Sequence, residues 1–282
     1  MSKGSRSPPF DWEGLLDGLA RFYHTGDWRR PYLRDHAEDP FQVLIGTILS
    51  QRTRDEATDV ASARLFARFP DPVALADAPP KEVLALIRPV GFYRTKTRAI
   101  RACARALVEE FGGKVPRSLE ELRRLPWVGA KTANCVLVFG FGIPAVPVDT
   151  HVHRIANRLG VVSTRTPEET EQRLREVLDP RFWIPLNPLL VQHGQNLCRP
   201  RGPKCDICPV RALCATGRAL SEGRPPPRAD DRPRPRRAAR GARREARPGP
   251  PRRAARRARR SAGPPRSRTR ARPARHRRAG SR

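Results

Sequence analysis

Apolar residues along the first 216 positions recur every three or four places, the repeat of helices that bury one face. Trp12, Leu15, Leu16, Leu19 and Phe22 make one such face, and Phe41–Leu49 is an apolar run long enough, with its flanks, for a buried helix. Val60–Phe69, Lys81–Ile87 and Ile100–Phe111 repeat the amphipathic pattern, and two shorter helical stretches cover Ser118–Leu125 and Gly129–Phe139. Asp149–Leu159, Glu168–Leu178 and Pro188–Leu197 complete the set. The breaks carry turn chemistry: Pro70-Asp71-Pro72, Pro79-Pro80, Gly112-Gly113 and Pro116. No period-two run is flanked by hairpin signals, so the expected fold is all-α with short loops.

Composition changes this picture at one end. The 282 residues carry 57 Lys+Arg against 28 Asp+Glu, a formal charge of +29. Positions 217–282 hold 25 of those cations, all Arg, and only four acids, so this segment contributes +21 and the first 216 residues +8. It has no Ile, Val, Phe, Tyr or Trp and a single leucine, Leu220. Too little apolar surface is available to offset the entropy of ordering, so residues 217–282 are expected to be a disordered Arg/Pro-rich tail. Such an arm would hold phosphate without reading sequence, although a dispensable extension from a GC-rich reading frame has the same composition. A charge this large points to a nucleic-acid partner ahead of a membrane. No apolar run is long enough for a membrane span, and MSKGSRSPPFDW lacks a signal-peptide core. A cytoplasmic, nucleoid-associated monomer is the expectation.

Candidate chemistry sits in three places. Cys198, Cys205, Cys208 and Cys214 give C-x6-C-x2-C-x5-C, and four thiolates so close suit either tetrahedral zinc or a [4Fe–4S] cluster. Spacing alone leaves that choice open. Cys103 and Cys135 lie on expected helices and read as buried thiols. Arg199, Arg201 and Lys204, between the first two ligands, suit phosphate contacts. The run LPWVGAKTAN (Leu125–Asn134) links two short helices through a tight turn whose amides can bind phosphate. Lys131 follows just inside the second helix, where the positive helix end and a dry cleft would both disfavour an ammonium. A free amine is what Schiff-base chemistry needs, while a plain phosphate contact is the simpler role for a lone lysine. Asp149, in VPVDTHVHR, precedes a helix; it can be an N-cap, or a carboxylate that takes a proton or stabilises a cationic sugar. His151 reads as packing or phosphate contact and His153 as surface, since an i,i+2 pair does not share a helix face.

These motifs, in this order and at these separations, resemble the endonuclease III family of helix-hairpin-helix DNA glycosylases. The resemblance runs from about Phe10 to Cys214 and includes FQVLIGTILSQRTRDEAT and VGFYRTKTRAIRACARALVEEFGGKVP. It implies two helical lobes: a helix-hairpin-helix barrel over 33–146, and a cluster lobe combining 10–32 with 147–215. It also implies that Lys131 is the nucleophile, that Asp149 is the catalytic aspartate, and that Cys198, Cys205, Cys208 and Cys214 hold a [4Fe–4S] cluster. The partner it implies is double-stranded DNA with damaged bases or abasic sites, and the target nucleotide must leave the stack because C1′ is inaccessible within it. Base-excision repair of oxidised pyrimidines follows as the expected reaction, with base loss at C1′, a Lys131 Schiff base and β-elimination 3′ of the site.

Two positions depart from the family pattern. Its hairpin usually reads L-P-G-x-G; here Trp127 replaces the first glycine and Gly129 keeps the second. Trp127 is strained if that turn needs a positive φ, and otherwise projects its ring toward DNA or protein. Where the family often reads L-S-x-Q, this chain has Leu49-Ser50-Gln51-Arg52, with Arg52 at the gap-filling position and Gln51 one earlier. Phe92 matches a second insertion position. Gln51, Arg52, Phe92, Trp127, Gly129, His151 and the three loop cations are therefore the expected DNA contacts. The rival readings are a uracil or thymine mismatch glycosylase of the same fold and a non-catalytic DNA-binding protein. A paired lysine and carboxylate argue against the latter, because holding phosphate needs no carboxylate.

Overall fold

The structure, a computed structural model, describes residues 10–32 and 39–225. The expected start of the first lobe at residue 33, and the tail from residue 226 onward, lie outside them. Every regular element among the described residues is helical. Asp11 opens α1 (Trp12–His24) by accepting the Gly14 amide at 2.8 Å. Asp39 caps α2 (Pro40–Ser50), with Pro40 in the first turn, where its missing N–H costs nothing. Then follow α3 (Asp55–Arg68), α4 (Pro72–Asp77), α5 (Pro80–Leu86) and α6 (Tyr93–Phe111), the last closed by Gly112 at φ +59°. A short α7 (Leu119–Leu122) leads through the hairpin turn to α8 (Ala130–Cys135), which widens into a π turn over Val136–Gly140. The second half comprises α9 (Thr150–Leu159), α10 (Pro167–Val177), α11 (Trp183–Asn196) and α12 (Ala215–Ser221).

Buried side chains fall into two clusters. One surrounds α2, which is buried from Val43 to Leu49, and includes Leu65, Leu75, Ile87, Ile100, Leu107 and Leu122. The other packs α1 against the later helices through Leu15, Leu19, Ile155, Leu174, Leu186 and Leu190. Ala145 belongs to the first and Val146 to the second. Each fully buried leucine contributes about 1.5–3 kcal/mol by leaving water, which makes these clusters the main stabilising feature. Gln195 on α11 donates to Asp55 Oδ2 on α3 at 2.8 Å, and the Asn196 amide to Arg29 O at 3.0 Å.

Several expected boundaries move. Pro70-Asp71-Pro72, read as a break, starts a helix: Asp71 caps it and Pro72 takes the first turn. Helices α3 and α6 begin five and seven residues earlier than expected, because their first turns are polar and partly exposed. Pro188 lies inside α11 rather than at its start. In the last turn of α1 the buried aromatic is Tyr23, not Phe22, and its hydroxyl lies 2.8 Å from His193 Nδ1. Residues 217–221, expected within the disordered tail, form most of α12, whose Thr216, Gly217 and Ala219 are buried. The Cys214 sulfur accepts the Gly217 amide at 3.4 Å, so local capping supplies the order that composition does not.

Candidate active site

The hairpin turn between α7 and α8 is left-handed at Trp127, with φ +66°. A bulky residue there costs about 1–2 kcal/mol, which is why the position favours glycine. The tryptophan keeps the turn and carries the strain, and its side chain is 57% exposed. Gly129 is extended, φ −92°, and an added Cβ would meet nothing within 4 Å. Open space, not backbone geometry, distinguishes that position.

Lys131 is the second residue of α8 and is half-buried. Burial lowers its pKa, but the Cys135 sulfur and the Asp149 and Asp55 carboxylates raise it, and the balance lies above the ordinary lysine value. The resting group is an ammonium, whereas the helix end and dry surroundings alone predict a free amine. Cys135, one turn further on, is fully buried, and burial pushes its thiol pKa up. Asp149 is both an N-cap and a cleft carboxylate. Its Oδ1 accepts the His151 amide at 2.9 Å and the Val152 amide at 2.8 Å, which fixes the side chain at the start of α9.

Lys131 and Asp149 line one cleft of about 620 Å³, together with Gln51, Arg52, Asp55, His151 and Gln195. Gln51 Nε2 lies 3.4 Å from Thr132 Oγ1, joining its loop to the lysine helix. Arg52 (φ +54°) and Phe92 (φ +58°) are, with Trp127, the non-glycine residues with left-handed backbone among the described residues. The Arg52 guanidinium lies 5.6 Å from the centre of the Phe92 ring, which is 62% exposed. Burial holds His151 below the ordinary histidine value, and its Nδ1 lies 3.1 Å from Arg154, consistent with a neutral ring accepting there. His153 is not a surface residue: it is half-buried, with Nδ1 2.6 Å from Thr170 Oγ1.

An adjoining groove of about 720 Å³ shares Asp55, His151 and Gln195 with the cleft and adds Arg29, Arg54, Arg199 and Arg201. The four cysteines line a separate pocket, with Lys204 at its edge. Among the described residues no three His, Cys, Asp or Glu side chains are grouped as they would be around a single bound ion. Two arginines of α9 organise this loop. Arg154 donates to Cys198 O at 2.9 Å and Gly194 O at 3.2 Å. Arg158 donates to Arg199 O at 2.7 Å, Pro200 O at 2.9 Å and the Cys198 sulfur at 3.3 Å. Gly194 permits this approach, since a Cβ there would run into His151 and Arg154. Arg199, Arg201 and Lys204 remain exposed. Sequence reasoning missed Arg154 and Arg158, whose i,i+4 spacing on one helix face was the available signal, and Asp55, Lys96 and Gln195, which had none.

A helical fold that sets a lysine and a carboxylate in one cleft beside a left-handed hairpin turn defines a class: residues 45–180 match the family described as "HhH-GPD superfamily base excision DNA repair protein". The chain is 51% identical over 191 residues to Endonuclease III of Thermotoga maritima, an alignment covering 67% of this chain and 90% of that one. Among solved structures it is similar to a non-covalent Endonuclease III–DNA complex, at TM-score 0.64 and 31% identity over 74% of this chain and 96% of that one. It is equally similar to a trapped Endonuclease III–DNA covalent intermediate, at TM-score 0.63 and 32% identity over 73% and 95%. The chain belongs to the endonuclease III family. It is a base-excision DNA glycosylase with AP lyase activity.

Proposed function

We propose that Lys131 is the nucleophile and Asp149 its proton partner in removing oxidised pyrimidines from duplex DNA. The observation that carries this is their shared cleft, in which the Asp149 carboxylate helps hold Lys131 charged at rest. Reaction requires that the ammonium give up a proton, and in this reading Asp149, which lines the same cleft, receives it. The freed amine bonds to C1′ as the glycosidic bond breaks, and the base leaves with that electron pair and a proton. The sugar ring then opens: the C1′–O4′ bond breaks, O4′ keeps the electron pair and takes up a proton, and C1′ is left as a Schiff base with Lys131. That Schiff base makes the C2′ proton acidic; its loss expels the 3′ phosphate oxygen and completes β-elimination. Arg52 and Phe92 occupy the space vacated by the extruded nucleotide, with Gln51 beside them. Trp127, Gly129, His151, Arg199, Arg201 and Lys204 face the backbone. One chain supplies every group named, so a monomer suffices.

Cys198, Cys205, Cys208 and Cys214 would hold a [4Fe–4S] cluster. The donor set supports the assignment: four thiols line one pocket, and Arg158 and the Gly217 amide already point hydrogens at two of the sulfurs. When bound, the cluster pins the basic loop. Purified protein should be yellow-brown with absorbance near about 400 nm and contain iron; colourless, iron-free protein with full activity would contradict the assignment.

Borohydride trapping on thymine-glycol duplex tests the catalytic pair. A covalent adduct should form with the native chain and disappear in Lys131→Ala. No adduct with any oxidised pyrimidine, beside clean base release from a G·U or G·T mismatch, would sink the lyase role of Lys131 and favour the mismatch reading.

A further inference from the structure

Lys96 takes no part in the chemistry above, yet among the described residues it is the one buried Lys or Arg, 6% exposed. It sits in the first turn of α6. Its Nζ donates to Leu49 O at 2.6 Å, Gln51 O at 2.6 Å and Thr53 Oγ1 at 2.7 Å. None of the three is a carboxylate. Burial lowers its pKa to about 8, so near neutrality it still carries the three hydrogens those contacts use.

The partners lie at the end of α2. Leu49 is in its last turn and Gln51 is its C-cap, so their carbonyls belong to the set that no amide of the helix itself can satisfy. A cation at a helix C-terminus is favourable, and here α6 supplies it to α2. The chain then turns left-handed at Arg52, where helices commonly end on glycine. Thr53 completes the junction. Its hydroxyl donates to Gln51 O at 3.3 Å and accepts both Lys96 Nζ and the Gly91 amide, the latter at 3.1 Å. Its one hydrogen and two lone pairs are all used. Gly91 approaches so closely that an added Cβ would lie 2.9 Å from Arg52 O. Phe92, itself left-handed, follows directly, and the Arg52 guanidinium lies over its ring.

We infer that Lys96 is a positioning residue that locks the Gln51–Thr53 loop and the Gly91–Phe92 loop into one rigid jaw, and that this rigidity drives extrusion of the target nucleotide. The inference rests on the reading that Arg52 and Phe92 enter the stack. Two exposed residues on strained backbone cannot hold bases apart if the loops carrying them yield first. A lysine serving only as a helix cap would stabilise the fold and affect all substrates alike.

The full chain tests this with two substrates: thymine glycol paired with adenine, which must be extruded, and an abasic site in a one-nucleotide bulge, which is already outside the stack. Lys96→Met should slow single-turnover base release from the paired lesion at least about tenfold, since small misplacements near a reacting centre are costly. It should also remove the fluorescence rise of 2-aminopurine placed beside the lesion. Borohydride trapping on the bulged site should stay within about threefold of native. Thr53→Val, which leaves both carbonyl bonds to Lys96, should show the same selective loss to a smaller degree and carries the test if Lys96→Met fails to fold. Equal loss on both substrates, or no loss on either, overturns the inference. Arg52→Ala and Phe92→Ala separate it from the reading beneath it. If these spare the paired lesion, the insertion reading fails; if they lose it while Lys96→Met and Thr53→Val do not, only the role of Lys96 fails.

Discussion

Trp127 shows how one side chain can be legible as an anomaly and still need coordinates to interpret. The residue stands where its family usually has glycine, and its φ of +66° shows that the turn kept its handedness. Trp127→Gly should therefore stabilise the protein by about 1 kcal/mol, read as a raised urea midpoint; a lower midpoint would mean that the indole packs more than its exposure implies. Asp149 poses a sharper question, because it is an N-cap and a candidate proton acceptor at once. Asparagine caps helices about as well as aspartate, so Asp149→Asn should leave the urea midpoint nearly unchanged. Base release should fall about 10²–10⁴-fold, the range for loss of a proton-transfer group. A parallel loss of stability would return Asp149 to a purely structural role.

At the scale of elements, the helix cores were readable and their ends were not. Apolar spacing reports which face is buried; it picked out Phe41–Leu49 and Ile100–Phe111 within the helices found there, and Asp149–Leu159 as α9 with its N-cap. Ends depend on caps and partners. Asp71 turns an apparent proline break into α4, and Cys214 opens α12 within a segment that composition alone calls disordered. Shortening the chain separates these effects. Removing residues 226–282 should leave turnover intact and reduce the salt dependence of duplex binding, because fewer counterions are released. Removing 217–282 should also lower the thermal midpoint, since it deletes α12 and the amide held by the Cys214 sulfur. Equal midpoints for the two truncations would mean that α12 contributes nothing to the fold.

For the whole molecule, acid sensitivity follows from buried histidines. Burial lowers the pKa of His151, His153 and His193 below 6.5, to about 4 for His193. As pH falls through 6.5 the unfolded chain takes up these protons first, so stability drops until the folded-state values are reached. The urea midpoint should fall between pH 7 and 5, and His151→Gln should shed part of that slope; an unchanged slope would show that His151 gains its proton as readily folded as unfolded.

The sequence by itself determined that the chain is helical, that it carries four cysteines at ligand spacing, and which lysine and aspartate deserve attention, because periodicity and motif spacing are local properties. Tertiary structure alone decided what stands beside them. Lys96 looked like one more cation in a basic run until α6 carried it to the end of α2. Asp55 and Gln195, 140 positions apart, meet across the cleft. The protonation of Lys131 depends on Cys135 of its own helix and also on the Asp149 and Asp55 carboxylates, which distant segments bring to it, so no reading of α8 alone could supply it. Even the charge of +29 changed meaning, since most of it lies in the tail while the cations that organise the loop beside the cleft, Arg154 and Arg158, are spent on carbonyls and sulfur. Contacts between distant segments form only when two hydrophobic faces pack, and that packing has no local signature.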